Sequence, residues 1–525
     1  MDRQQEFVKQ ITKGYSFKGE SIILGGAMLD GKCINNTLVK IPLKTLNRHG
    51  LISGATGTGK TKTLQILAEH MSDKGIPVLL MDIKGDLSGL AQPGTNNKHI
   101  VKRHGEIGIP WKEKGFPLEF LSLSKEKGAK LRATVSEFGP VLFSKILELN
   151  STQSGIVSLI FKYCDDYGLP LLDLKDFRKA LQYATNEGKE EIQEIYGRIS
   201  TASTGAILRK IIELEQQGAD RFFGEKSFEV NDLLKKERSG NGIISVIRLT
   251  DLQDRPKLFS TFMMSLLAEI YSSFPEEGDS VKPKLVIFID EAHLMFDEAS
   301  KALLDQLETI IKLIRSKGVG IFFCTQTPRD IPDAVLSQLG MKVQHALRAF
   351  TAKDRKAIKM AAENYPLTDF YKTNKLITEL GIGEALVTVL NEKGVPTPLA
   401  ATLLRAPMSR MDILNKKEIG EVIGYSRFVD KYNLEIDRES AYEILSGKIE
   451  NKRNEDEKLK EKLSKRKTKS RRRGKSKVED VLSSTTTRQI GRTVAREITR
   501  GLLGVLGIGG KTSRRRKSYK KRGWF

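Results

Sequence analysis

Gly54-Ala55-Thr56-Gly57-Thr58-Gly59-Lys60-Thr61 satisfies the pattern GxxxxGK followed by Ser or Thr at every fixed position. Glycines at this spacing let backbone N–H groups curl around phosphate oxygens, and a helix that follows aims its positive end at them. In such a loop, called Walker A, Lys60 reaches the outer phosphates and the Thr61 hydroxyl ligates magnesium. Gly54, Thr56, Gly57, Thr58, Gly59, Lys60, Thr61 and Thr63 are therefore the candidate residues for binding ATP. The bland alternative is a glycine-rich turn at a helix start. An apolar strand before the loop and helical spacing after it argue for the phosphate reading.

A second run, Leu285-Val286-Ile287-Phe288-Ile289-Asp290-Glu291, is an apolar strand ending in two acids, the Walker B arrangement. Asp290 would hold Mg²⁺ together with Thr61. Glu291 would polarise the water that attacks the terminal phosphate. Two acids at a strand end are often only a polar cap; beside a complete phosphate loop, the catalytic reading is preferred. Gln326, in Cys324-Thr325-Gln326-Thr327, ends the next apolar strand and is the candidate sensor of the terminal phosphate, though a Gln there can also simply cap the strand. Arg315, then Arg348 and Arg329, are candidates for meeting phosphate charge from a neighbouring subunit, against the alternative that they are solvated. Asp290-Glu291-Ala292-His293 spells the box of a helicase class that needs a second motor lobe with an arginine-rich motif. No such motif is present, so His293 reads as structural. Neither an NKxD base-recognition motif nor an LSGGQ signature occurs.

The elements that must position these residues alternate. Short strands are expected at Gly50–Ser53, Ile76–Met81, Gly242–Leu249, Lys284–Ile289 and Gly320–Cys324. Helices are expected at Lys60–Lys74 and Ser300–Lys317, the latter with Leu303, Leu307, Ile310, Ile311 and Ile314 on one stripe. Glu384–Leu390 with Pro398–Leu404 reads as a hairpin. Alternation of this kind predicts an α/β fold with a mostly parallel sheet. The expected organisation is a short N-terminal β segment over 1–49 and an ATPase core over 50–410 with a helical insertion at about 95–240. C-terminal helices follow over 411–450, then a basic tail over 451–525.

The 525 residues carry 88 Lys+Arg and 65 Asp+Glu, a net charge of +23. Residues 451–525 hold 26 of the basic and 7 of the acidic side chains, or +19, which leaves only +4 on the first 450. Charge segregated into one end reads as an interaction arm for nucleic acid, anionic lipid or an acidic protein. Arg488, Arg492, Arg496 and Arg500 recur opposite Val494, Ile498 and Leu502, which predicts an amphipathic basic helix at about 487–506. No apolar run approaches the roughly 18–20 residues of a membrane span. The N-terminus shows no leader. Cys33, Cys164 and Cys324 lack metal-ligand spacing and suit a reducing compartment, so the expected location is cytoplasmic.

Five blocks together, RHGLISGATGTGKTKTLQ, LLMDIKGDLSGLA, FIDEAHLMF, LIRSKGVGIFFCTQTPRDIPDAVLSQLG and VQHALRAFTAKDRKAIK, resemble the HerA/FtsK-like branch of RecA-type P-loop ATPases, and within it the YjgR-type bacterial family. The resemblance covers about residues 20–410. It implies a RecA-like sheet of the ASCE type, a hexameric DNA pump, Glu291 as catalytic acid, Gln326 as sensor and Arg315 as a finger reaching the adjacent protomer's ATP, with Arg348 the second choice. Pumps of this type carry a sizeable β-barrel ahead of the ATPase that commonly docks a nuclease. About fifty residues precede Gly54 here, which speaks against a nuclease docked in that way; a nuclease or other protein partner is left open, and the basic tail is the alternative docking or DNA-holding surface. The leading expectation is an oligomeric, ATP-driven DNA translocase or helicase. The alternative is a P-loop ATPase working on protein substrates or as a regulatory switch, because the Walker residues fix only phosphate chemistry.

Overall fold

The computed structural model of the chain describes residues 2–471 except 124, 251–254, 279, 298–300, 435 and 437. Twelve strands among the described residues join in one mixed sheet. In chain order they are β1 (Ser21–Leu29), β2 (Lys32–Pro42), β3 (Gly50–Ser53), β4 (Val78–Asp82), β5 (Leu118–Ser122), β6 (Ala129–Lys130), β7 (Ile244–Arg248), β8 (Leu285–Ile289), β9 (Val319–Thr325), β10 (Met341–Gln344), β11 (Glu384–Thr388) and β12 (Ala400–Leu404). Across the sheet they run β2-β1-β12-β11-β10-β3-β9-β8-β4-β7-β5-β6. Every neighbouring pair from β10 to β6 is parallel. Every pair from β10 outward through β11, β12 and β1 to β2 is antiparallel.

β4, β8 and β9 are buried at every residue, as strands covered on both faces must be, which is why they read as continuous apolar runs. The glycine-rich loop leaves β3 and Asp290 follows β8. β9 lies between them, pairing Ile52 with Cys324 on one side and Phe288 with Phe322 on the other. All three strands point the same way, so their carboxyl ends open on one edge, where ligands of open α/β sheets bind.

Several elements differ from the sequence expectation. The N-terminal segment contains β1 and β2 but begins with a helix, Arg3–Gly14, whose Phe7 and Ile11 are buried together with the following Tyr15. That four-residue spacing is a helical stripe, and Tyr15 Oη anchors it by donating to the Val387 and Pro398 carbonyls at 3.0 and 2.8 Å. Within 95–240, β5 and β6 extend the parallel sheet, so the stretch is not helical throughout. Its later part holds two helices, Lys189–Tyr196 and Thr201–Gln216, broken at Gly197 with φ of 91°. β10 was not anticipated, because Met-Lys-Val-Gln is short and half polar.

The chain divides into Met1–Gly447 and Lys448–Phe525. The described start of the second unit is helical, the end of Ala441–Arg471. The amphipathic helix expected at about 487–506 lies outside the described residues. No described helix is long and apolar enough to cross a membrane.

Gly320 shows how closely β9 is packed against the turn before β3: a Cβ there would lie 2.2 Å from the Leu46 carbonyl oxygen. Because backbone rather than a flexible side chain blocks the space, Gly320→Ala is expected to destabilise the fold by about 1–3 kcal/mol, the usual range for overpacking a core. Denaturant unfolding measures this, and an unchanged midpoint would contradict the packing.

Candidate active site

The phosphate loop is held open by its own backbone. Gly54, Gly57 and Gly59 have φ of 155°, 78° and 112°, conformations that L side chains rarely adopt. The Gly54 N–H donates to the Thr325 carbonyl at 3.3 Å, and the Ala55 N–H to the Ala346 carbonyl at 2.8 Å. The loop is thus tied to the ends of β9 and β10, the two strands that flank β3. Thr56 and Gly57 form its exposed tip. Thr58 is buried, and its hydroxyl donates to the Ala55 carbonyl at 2.7 Å. Gly59 precedes the helix Lys60–Asp73, whose first turn offers free N–H groups to an anion.

Lys60 is buried and folded back, its ammonium donating to the Gly54 and Ala55 carbonyls at 2.7 and 3.2 Å. Burial holds it below the usual lysine range, although the nearby carboxylates of Glu291 and Asp290 oppose the shift. Thr61 is half-buried at the helix start. Thr63 is turned under the loop: its hydroxyl lies 2.9 Å from His345 Nε2 and donates to the Gly59 carbonyl at 3.3 Å.

Asp290 is buried, and its Oδ2 has no hydrogen-bond partner among the described residues. Burial, with Glu291 beside it, pushes its carboxyl up to about 6. An unpartnered buried carboxylate oxygen is costly unless a cation meets it, and this suits a divalent ion held by Asp290 and Thr61. Among the described residues no three His, Cys, Asp or Glu gather as an all-protein metal site, as expected where phosphate and water supply the remaining ligands. Glu291 sits at φ of 46°, in the left-handed region unfavourable to a non-glycine residue. Its Oε1 is ion-paired with Lys84, while Oε2 is buried without a hydrogen bond and faces His293 Nδ1 at 3.4 Å.

The sequence reading missed Lys84. It belongs to the turn after β4, the neighbour of β8, and that turn is fixed by Asp82, which accepts from the N–H groups of Gly85, Asp86 and Leu87 at 2.7, 3.2 and 3.2 Å. Burial, with Asp86 adding repulsion, pushes the Asp82 carboxyl up to about 7. The run Asp82-Ile83-Lys84-Gly85-Asp86 is visible in the sequence as a strand end, but nothing local shows that Lys84 meets Glu291. His345 was missed as well. It is buried, held down to about 4 by burial and the Lys60 charge, and packs against the loop.

Lys60, Thr61, Asp290, Glu291 and Gln326 share the carboxyl edge of adjacent strands. Gln326 is exposed and directly follows Thr325, whose carbonyl receives Gly54. Arg348 lies on the same edge beyond β10, where it donates to the Thr378 carbonyl at 2.9 Å. Arg329 donates to Met360 Sδ at 3.0 Å. Arg315 is exposed at the opposite edge, in the turn before β9, near His49 at the start of β3. His49 accepts from the Ile321 N–H at 3.0 Å through Nδ1, so Nε2 carries the proton and donates to the Ile311 carbonyl at 2.9 Å. The helix and the strand on either side of the Arg315 turn are thereby fastened to the far end of the phosphate-loop strand.

Known proteins share this organisation. The helicase HerA-like C-terminal family matches residues 29–514. The DNA double-strand break repair helicase HerA of Sulfolobus acidocaldarius is 21% identical over 396 residues, covering 75% of this chain and 72% of that protein. Its namesake from Saccharolobus solfataricus is 22% identical over 376 residues, covering 67% and 64%. Among solved structures, the bacterial conjugative coupling protein TrwBdeltaN70 matches with a TM-score of 0.50 at 14% identity, covering 78% of this chain and 94% of that one. The plasmid coupling protein TrwB in complex with ADP and Mg²⁺ matches at 0.50 and 15% identity, covering 77% and 94%. These are likenesses of fold.

A Cβ on Gly54 would lie 2.5 Å from His345 Cβ, at a φ already unfavourable to alanine. Gly54→Ala is therefore expected to lower affinity for a nucleoside triphosphate analogue about tenfold or more, a loss of roughly 1.4 kcal/mol. Titration calorimetry reads this, and unchanged affinity would contradict the loop geometry.

Proposed function

The chain belongs to the helicase HerA-like C-terminal family, and on that premise we propose that it is an ATP-hydrolysing, ring-forming motor that moves along or unwinds DNA. The observation that carries this reading is the single edge on which the glycine-rich loop, Asp290 and Glu291 meet across β9, with Asp290 Oδ2 buried and unpartnered. The phosphate chemistry follows from the residues present. On nucleotide binding Lys60 exchanges the Gly54 and Ala55 carbonyls for phosphate oxygens, and the amides of the loop hold the same charge from below. A Mg²⁺ ion would be held by Asp290 and Thr61 and would supply the positive charge that phosphoryl transfer requires. Lys84 holds Glu291 Oε1, and the Glu291 carboxylate would accept a proton from the attacking water. Gln326, exposed just beyond β9, would sense the terminal phosphate.

The resemblance to HerA/FtsK-like pumps supports a ring, six subunits being the favoured number, in which Arg315 serves a neighbour's nucleotide. β9 is seven residues long, about 23 Å of strand, and Arg315 lies at the end away from its own phosphate loop, which is compatible with action in trans. The DNA substrate rests on family membership and on the names of the HerA relatives. The basic residues beyond 450 are a further electrostatic hold on DNA. A nuclease or another protein partner remains compatible with this reading.

Two experiments follow. Lys60→Ala is expected to weaken nucleotide binding strongly. Glu291→Gln is expected to bind nucleotide as the parent does and to lose turnover by a factor of about a hundred or more, in the range that general-base catalysis contributes. Parental turnover in Glu291→Gln removes that residue from its role. Subunit mixing tests the trans finger, because co-assembly of Arg315→Ala with Lys60→Ala rebuilds some complete interfaces and restores part of the hydrolysis. A mixture that stays inactive despite verified co-assembly argues against action in trans.

A further inference from the structure

The near neutrality of the first 450 residues conceals one strongly charged surface. Between Arg348 and Met360 the chain carries Arg348, Lys353, Arg355, Lys356 and Lys359 against a single acid, Asp354, for a local +4 that equals the net charge of all residues before 451. All five cations are exposed. None of them forms an ion pair with a described residue. Asp354 is already committed, because it accepts from the N–H groups of Phe350 and Thr351 at 3.0 and 2.8 Å and so caps the helix Ala352–Glu363. Phe350, in the turn that leads into this helix, is 87% exposed, an unusual position for a large apolar ring.

The place of this surface matters as much as its charge. Ala346, two residues before Arg348, accepts the Ala55 N–H of the phosphate loop at 2.8 Å, and His345 contacts Thr63 on the loop's helix at 2.9 Å. The buried face of the helix, Ile358 and Ala361, belongs to a core cluster that also holds Ala346 and Leu347. The charged face is thus rigidly continuous with the nucleotide site. Solvated lysines on an ordinary surface are usually interspersed with acids. Here one acid, Asp354, is taken up by the helix cap and the other, Glu363, stands only at the helix's far end, while an exposed aromatic ring stands beside the cations. That pairing matches a polyanion carrying flat apolar groups, which is a nucleic acid: cations take phosphates, and the ring takes a base.

We propose that the segment Arg348–Met360 is a DNA-contacting surface whose lysines hold the phosphate backbone while Phe350 stacks on a base. The assignment rests on the DNA-motor reading above, and it locates a grip, in addition to any made by the basic tail, on a segment that begins two residues after the phosphate loop's partner Ala346. A change in the loop on nucleotide turnover would be felt at this surface through Ala346 without passing through any other domain.

The test uses the full-length chain and leaves Arg348 untouched, since it is a candidate for the nucleotide site. DNA affinity is measured over a range of salt for the parent, for Lys353→Gln/Lys356→Gln/Lys359→Gln and for Phe350→Ala, alongside ATPase rate without DNA and mass in solution. The triple variant is expected to bind duplex DNA at least tenfold more weakly near 0.15 M salt, with the log–log salt slope shallower by about 2–3, since each phosphate contact contributes about 0.9. Phe350→Ala is expected to lose about fivefold or more on single-stranded DNA with an unchanged slope, because it removes no charge. Basal ATPase and mass should stay at parental values in both. Parental affinity and slope in the triple variant overturn the surface while leaving the DNA-motor reading intact. A change of mass reassigns it to subunit contact and overturns it equally. A parent that binds no DNA overturns the reading and the surface together.

Discussion

The Gly54 and Ala55 amides, bonded to the Thr325 and Ala346 carbonyls, fix the phosphate loop between two strands, and the rest of the site depends on those two bonds. A loop of this kind must keep several N–H groups pointing at empty space, which backbone left alone will not do. Tying its first residues to β9 and β10 makes the remaining amides available. It also sets the distances to everything else on the edge. Asp290 and Glu291 follow β8, which is hydrogen-bonded to β9, while Gln326 directly follows the residue that receives Gly54. The loop, the acids and the sensor candidate therefore move as one piece with the sheet.

The same constraint explains the tension left in the site. Asp290 keeps an unpartnered oxygen, Glu291 occupies a left-handed backbone conformation, and Lys60 spends its donors on the loop's own carbonyls. The first two are unfavourable by themselves, and in the proposed function a divalent cation at Asp290 would relieve the first while phosphate oxygens would take over the Lys60 donors. Such a site is held poised by a stable scaffold rather than stabilised by its own contacts. Lys84 adds a second level of control, since it holds one oxygen of Glu291 and belongs to a turn fixed by buried Asp82. Arg315 lies outside this edge altogether, in the turn between Ile311 and Ile321, the two residues that His49 hydrogen-bonds just before the strand that carries the loop.

Much of this was legible in the sequence where one local rule dominates. The strands β4, β8 and β9 are apolar at nearly every position because both faces are covered, and the phosphate loop is a contiguous motif between a strand and a helix. Helix Arg3–Gly14 was overlooked although Phe7 and Ile11 show its spacing, because only two apolar positions mark it. β10 and β5 are short and mix Lys, Gln or Glu with apolar residues, so it is the pairing with β3 and β7, rather than their own propensity, that makes them strands. Lys84 and His345 escaped for a different reason. Lys84 meets Glu291 and His345 meets Thr63 across separations of some 200 and 280 residues, and no local pattern announces contacts made only once the sheet has closed. The resemblance block containing Val343–Lys359 pointed at the segment but singled out only Arg348 within it.

The proposed function couples nucleotide chemistry on this edge to DNA. The most direct measurement is the steady-state ATPase rate of the full-length chain, at a determined oligomeric state, with and without duplex DNA. Mg²⁺-dependent hydrolysis by a ring, accelerated by DNA and lost in Glu291→Gln under both conditions, is the expected result. Hydrolysis that proceeds at the same rate with and without DNA, or equally well in isolated subunits, would contradict it.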